Sequence, residues 1–178
     1  QSDGTVRMMD FFDEQRMSRL YEKFILEYYR REHPRLNASA SFIDWVLDDG
    51  VSDGLPAMRS DITLSARGCV LIIDAKYYAS TMQSNFDKRT VHSGNLYQIF
   101  AYVKNKQAAL ERAGDGTEVS GMLLYAATDE DIQPDATYRM SGNRISATTL
   151  DLDRPFEEIR AQLDGIAASL TALPGEEP

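Results

Sequence analysis

A short turn, Ala66-Arg67-Gly68, separates two runs of strand-forming residues, and this arrangement constrains the fold of the 178-residue chain more than any other feature. The first run, RSDITLS at 59–65, alternates: Ile62 and Leu64 face one way, Asp61 and Thr63 the other. The second, CVLIIDAKYY at 69–78, is mostly apolar, as expected of a strand buried on both faces. Gly68 can take the positive φ that a tight hairpin requires. With Arg67 and Gly68 as a two-residue loop, residue i pairs with residue 135 − i, and Asp61 falls directly opposite Asp74.

Directly opposed side chains have Cβ atoms about 4.5–5.5 Å apart. Two carboxylates in that position repel unless something positive lies between them. Lys76, two residues beyond Asp74, leaves the same face of its strand. Two chemistries satisfy these constraints. One is a structural ion pair, the ordinary state of an Asp and a Lys in a strand. The other is a hard divalent cation held by oxygen ligands. The apolar run at 70–73 makes an unpaired charge at its end expensive, but these residues alone leave both readings open.

The remainder of the chain supplies the frame. Residues 9–32 predict a long helix with Met17, Leu20, Tyr21, Phe24, Ile25 and Tyr28 as its apolar stripe and Glu22 at the border. Arg30, Arg31 and Arg35 complement the C-terminal dipole, and His33-Pro34 ends the helix. Residues 41–48 predict a strand with Trp45 in the core, followed by an Asp48-Asp49-Gly50 turn. The polar stretch 79–94, with Asn85, Asp87, Lys88, Arg89 and His92, reads as a loop over the end of the hairpin.

A second helix is expected over about 94–113, burying Leu96, Ile99, Phe100, Val103 and Ala108. Gln98 and Tyr102, four apart, share one of its faces. Gly114-Asp115-Gly116 stops it. A buried strand at 121–128, an Asp- and Pro-rich loop, a last strand at 145–152 and a helix opened by Pro155 complete the order. That last helix would bury Phe156, Ile159, Leu163, Ile166 and Leu170, and residues 174–178 read as a disordered tail. The fold class is α/β, a mixed central sheet flanked by helices.

Composition narrows the function. The length suits one domain, 1–178, with a sizeable core. No apolar run reaches the roughly 18 residues of a membrane span, and no signal peptide is expected. The single Cys69 fits a reducing cytoplasm. Neither histidine stands at metal-ligand spacing from Cys69, so no zinc site is expected, and no phosphate-binding glycine loop is found. The chain starts at Gln1, which suggests the C-terminal piece of a longer protein.

Three segments together, MRSDITL, LIIDAKYY and SGNLYQIFAY, resemble the PD-(D/E)xK nuclease superfamily. Within it they resemble the nuclease domain of McrC, the cleaving subunit of modification-dependent, type IV McrBC restriction systems. The resemblance runs from about Phe11 to Leu124. It implies a restriction-endonuclease-like core in which Asp61, Asp74 and Lys76 are catalytic. Asp61, Asp74 and the backbone carbonyl of Ala75 would hold Mg²⁺, with Mn²⁺ able to substitute, and Glu22 in LYEKFI would be a further acidic ligand. Gln98 and Tyr102 match the family's Q-x-x-x-Y helix motif and would support the site from behind. The family's Pro before the first Asp is replaced here by Ser60, with Pro56 further upstream; that Pro has no ligand role.

The same resemblance implies partners. They are double-stranded DNA, a McrB-like AAA+ GTPase docked through an N-terminal domain missing here, and a second copy for double-strand cutting. A net charge of −9 is unusual for a protein that binds DNA unaided. Residues 151–178 contribute −5 of it, and metal ligands count as negative until an ion binds. A partner that delivers DNA resolves the tension. The rival reading is a non-catalytic, nuclease-like interaction module in a larger nucleoprotein complex, which the acidic charge favours and the Asp61, Asp74 and Lys76 set opposes. A nuclease for RNA or single strands would want an aromatic stacking platform, and the sequence offers none.

Overall fold

The computed structural model describes residues 2–78, 82–85, 88–128 and 133–172, with side chains left aside for residues 2–11, 82–85 and 88–90. Its centre is a five-stranded mixed sheet. β3 (Ile62–Ala66) and β4 (Cys69–Lys76) form the antiparallel hairpin read from the sequence. β7 (Glu118–Ala126) lies parallel to β4, and β9 (Asn143–Leu150) parallel to β7. β8 (Ala136–Met140) closes the far edge antiparallel to β9, so the order is β3-β4-β7-β9-β8. Helix α2 (Ser93–Arg112) lies in the connection that the parallel β4–β7 pair demands. Two short ribbons, β1 (Phe42–Ile43) with β2 (Met58–Arg59) and β5 (Met82–Asn85) with β6 (Lys88–Val91), sit outside this sheet.

Strand alternation divides the core in two. Leu71, Ile73 and Ala75 of β4 join Ile62, Leu64 and Leu124 beneath α1 (Ser2–Glu32) and α3 (Phe156–Thr171). Val70 and Ile72 face the other way, with Leu123, Tyr125 and Ile145, against Ile99, Tyr102 and Val103 of α2. The tyrosines of α1 are buried but satisfied: Tyr21 donates to the Leu124 carbonyl at 3.1 Å and Tyr29 to the Leu163 carbonyl at 3.0 Å. No described helix is long and apolar enough to cross a membrane.

Several expectations need correction. α1 buries Tyr21, Ile25, Tyr28 and Tyr29, whereas Met17 and Leu20, assigned to the stripe, are exposed. The strand expected over 41–48 shrinks to Phe42–Ile43. Trp45 is half-buried at the rim, its indole N–H donating to the Pro56 carbonyl at 2.7 Å. The stretch read as one loop over 79–94 contains the β5–β6 ladder, whose pairing is carried by the main chain and needs no hydrophobic pattern. β8 was hidden in a polar segment for a related reason: as an edge strand with mostly exposed side chains it shows no apolar run. Asp87 and the tail at 174–178 lie outside the described residues.

Candidate functional site

The turn fixes the geometry. Gly68 has φ +78°, and Ala66 pairs with Cys69, so the loop is the two residues Arg67 and Gly68. The ladder continues to Ile62 opposite Ile73, which places Asp61 at the strand end across from Asp74. There the main-chain ladder stops, and the Asp61 side chain continues it: the Ala75 N–H donates to Asp61 Oδ2 at 2.8 Å. The N–H and C=O of one strand residue leave the same edge, so the Ala75 carbonyl also faces the open edge beyond β3.

Asp74 is 3% exposed, and its Oδ2 accepts no hydrogen bond. Lys76 Nζ stands 2.9 Å from that oxygen as an ion pair. The ammonium donates to Gln98 Oε1 at 3.2 Å, and Gln98 Nε2 donates to the Tyr102 hydroxyl at 2.9 Å. A line of contacts therefore runs from the hairpin into α2: Asp74, Lys76, Gln98, Tyr102.

The electrostatics follow from burial and proximity. Burial pushes Asp61 up to about 8, the Asp74 charge and a hydrogen bond shared with Asp74 push the same way, and the Ala75 N–H opposes them. At neutral pH the pair therefore keeps a proton. Burial alone would lower Lys76, but the adjacent Asp74 outweighs it and holds the ammonium above the usual lysine range. Lys76 is a fixed cation, not a base. Glu22 is raised by its partial burial, helped by the Asp74 charge and opposed by its hydrogen bond from Ser18.

These features suit a divalent cation. A buried carboxylate oxygen without a hydrogen bond, a second carboxyl forced to hold a proton, and a carbonyl on the same edge are the hard oxygens that Mg²⁺ takes. Among the described residues no group of three or more His, Cys, Asp and Glu side chains is close enough to hold an ion. The donors thus fit an ion that rests on two carboxylates and completes its sphere with carbonyl and water, as magnesium does. Glu22 does not close in with the pair; it lines an open groove, with Asp61, on the α1 side.

Three residues have supporting roles that the sequence reading did not assign. Asn95, buried in the first turns of α2, accepts from the Tyr78 hydroxyl at 3.2 Å and donates to the Tyr125 hydroxyl at 3.1 Å. Tyr125 is the β7 partner of Lys76, so this network pins α2 beside the site. Gly121 lets α2 lie against β7: a Cβ there would stand 2.7 Å from Val103 Cγ2 and 2.8 Å from Ile99 Cγ1. Ser60 is 1% exposed and bonded on several sides. Only Asn95 carried a signal, a polar residue one turn before Gln98 on the same helix face.

A family model described as McrBC 5-methylcytosine restriction system component matches residues 15–126. The type IV methyl-directed restriction enzyme EcoKMcrBC of Escherichia coli (strain K12) is 32% identical over 167 residues, 92% of this chain and 46% of that protein. The chain thus spans about half the length of the relative it matches. Among solved structures, it is similar to a chain in a refined half-complex from a tetradecameric assembly of Thermococcus gammatolerans McrB AAA+ hexamers with bound McrC. The TM-score is 0.52 at 17% identity, over 84% of this chain and 33% of that one. At that identity the likeness speaks for the restriction-endonuclease-like fold.

Proposed function

Because the chain belongs to the McrBC 5-methylcytosine restriction system family, we propose that it is a metal-dependent endonuclease unit that hydrolyses DNA phosphodiester bonds. The observation that carries this reading is the opposed Asp61–Asp74 pair, with its buried, hydrogen-bond-free oxygen, beside the cation of Lys76. Asp61, Asp74 and the Ala75 carbonyl would hold Mg²⁺ or Mn²⁺, and Glu22 would approach from the rim. The ion would supply a polarised phosphodiester and a more acidic attacking water.

The chain's own residues do the rest. Lys76 keeps its charge beside Asp74, so it orients the attacking water and offsets charge developing on the phosphorus oxygens. Gln98 fixes the ammonium, and Tyr102 fixes the Gln98 amide. Asp61 must lose its proton to take part, and that loss accompanies ion binding.

The setting we infer is a type IV restriction complex. A GTP-driven AAA+ partner of the McrB kind delivers duplex DNA, which compensates for the weak unaided binding expected at net charge −9. Recognition of modified cytosine lies outside this chain. One site cuts one strand, so double-strand cleavage takes two copies.

The test is calorimetric titration of Mn²⁺ and Mg²⁺ into wild type and Asp74→Asn, followed by a cleavage assay. The reading expects ion binding that disappears in the variant, and cleavage that falls by about 10²-fold or more. Absence of Mn²⁺ binding even with duplex DNA present would sink it and favour a non-catalytic interaction module.

A further inference from the structure

On the α1 side of Asp61 lies an open groove of about 290 Å³. One wall is α1, with Arg19, Glu22, Lys23 and Leu26; the other is the β1–β2 side, with Arg59 and the floor residues Ser60 and Asp61. Arg19 and Lys23 are one helical turn apart and share a face of α1 with Glu22 between them. Arg59 is two residues before Asp61 and its guanidinium sits 5.5 Å from the ring centroid of Phe42, which is 70% exposed. The guanidinium and the ring are in cation–π contact. Among the described residues none of the three cations is within ion-pair distance of a carboxylate; Arg19 contacts the Gln15 carbonyl at 3.4 Å and feels the Glu22 charge across the helix face. By contrast Arg30, Arg112, Arg154 and Arg160 are each tied to carboxylates.

We infer that Arg19, Lys23 and Arg59 are the phosphate contacts that lead the strand to be cut into the Asp61–Asp74 site. This rests on the nuclease reading above and deepens it. In a chain of net charge −9, the lining of this groove brings together three cations that form no ion pair among the described residues, beside Glu22 and Asp61. Their spacing on two walls suits a polyanion lying along the groove.

The experiment is fluorescence-anisotropy binding of a short duplex to the chain, with chelator present so that nothing is cut, over a range of salt concentrations. Variants are Arg19→Ala with Lys23→Ala, Arg59→Ala, and as a control Arg139→Ala with Arg144→Ala, an exposed pair opposed across the β8–β9 edge. All the substituted side chains are exposed, so thermal unfolding should match wild type. Each groove charge removed should weaken binding about 3–10-fold and flatten log K against log salt by about 0.9, while the control changes neither. Groove variants with wild-type affinity and slope, a control that loses as much, or no duplex binding by wild type at low salt would each overturn the assignment. Cleavage with Mg²⁺ is read in parallel. Dependence on Asp74 together with normal binding by the groove variants defeats the groove alone. Cutting that survives Asp74→Asn defeats the nuclease reading and leaves the binding result standing.

Discussion

Asp61 reaches across the hairpin to accept the backbone N–H of Ala75 at 2.8 Å, so one carboxyl both ends the β3 ladder and faces Asp74. Its second oxygen is left for the site. The cost is visible in its proton affinity, driven up to about 8 by burial and then by Asp74.

Ion binding should therefore depend on pH in a defined direction. Below about 8 the pair holds a proton that a cation must displace. Mn²⁺ affinity should rise about tenfold per pH unit from 6 to 8 and level off above, with close to one proton released per ion at pH 7. The metal-free fold should show the opposite trend. A carboxyl raised on folding binds its proton more tightly in the native state, so its contribution to stability falls as pH climbs from about 4 to 8. Asp61→Asn removes both trends. Calorimetry in buffers of different ionisation enthalpy, with thermal unfolding across the same range, checks both.

Gln98 should matter to rate more than to ion binding. Its carbonyl holds the Lys76 ammonium, and its amide is held by Tyr102. Gln98→Ala should lower cleavage about 10–100-fold while Mn²⁺ affinity changes little. Tyr102→Phe keeps the ring and loses only the hydroxyl, so a smaller loss is expected. Single-turnover cleavage beside calorimetry separates the effects; equal losses in affinity and rate would show that Gln98 acts through the carboxylates instead.

What could be read from the sequence was what the hairpin dictates locally. Gly68 and the apolar run at 69–73 determine a register in which Asp61 faces Asp74, and the structure has that register. Of the expected α2 stripe, Ile99 and Val103 are buried and Leu96 and Phe100 pack partly buried beside them, as a 3.6-residue period predicts, while Tyr102 is buried and Ala108 is not. Features formed by contact between distant segments were not legible. Nothing local marks Gly121 as the point where α2 touches the sheet, because the constraint comes from Ile99 and Val103. The β5–β6 ribbon and β8 carry no hydrophobic alternation, since main-chain pairing rather than a buried face defines them.

Gly121 supplies a packing test. An added methyl would meet Val103 and Ile99 at under 3 Å, and both are fully buried. Gly121→Ala should destabilise by about 1–3 kcal/mol. It should also lower cleavage, because pushing α2 away moves Gln98 and Tyr102, which neighbour the clashing residues on the helix. Urea unfolding gives the first quantity. Activity measured well below the unfolding midpoint gives the second, and full activity there would show that α2 can shift without disturbing Lys76.

Ser60 stands where the superfamily pattern has Pro, and the structure gives a reason for the difference. Its backbone N–H donates to the Ser41 carbonyl at 2.9 Å, a bond proline cannot make. Its hydroxyl also accepts from the Ser41 N–H at 3.2 Å and lies 2.8 Å from Thr63 Oγ1. Ser60→Ala should cost about 1–3 kcal/mol, because it leaves buried polar groups without a partner. Ser60→Pro should cost more, losing the main-chain bond as well. Both changes loosen the residue that precedes Asp61, so Mn²⁺ affinity should fall in the order wild type, Ser60→Ala, Ser60→Pro. If the proline variant proved as stable as wild type and bound Mn²⁺ equally well, the anchoring of Asp61 through Ser41 would be refuted.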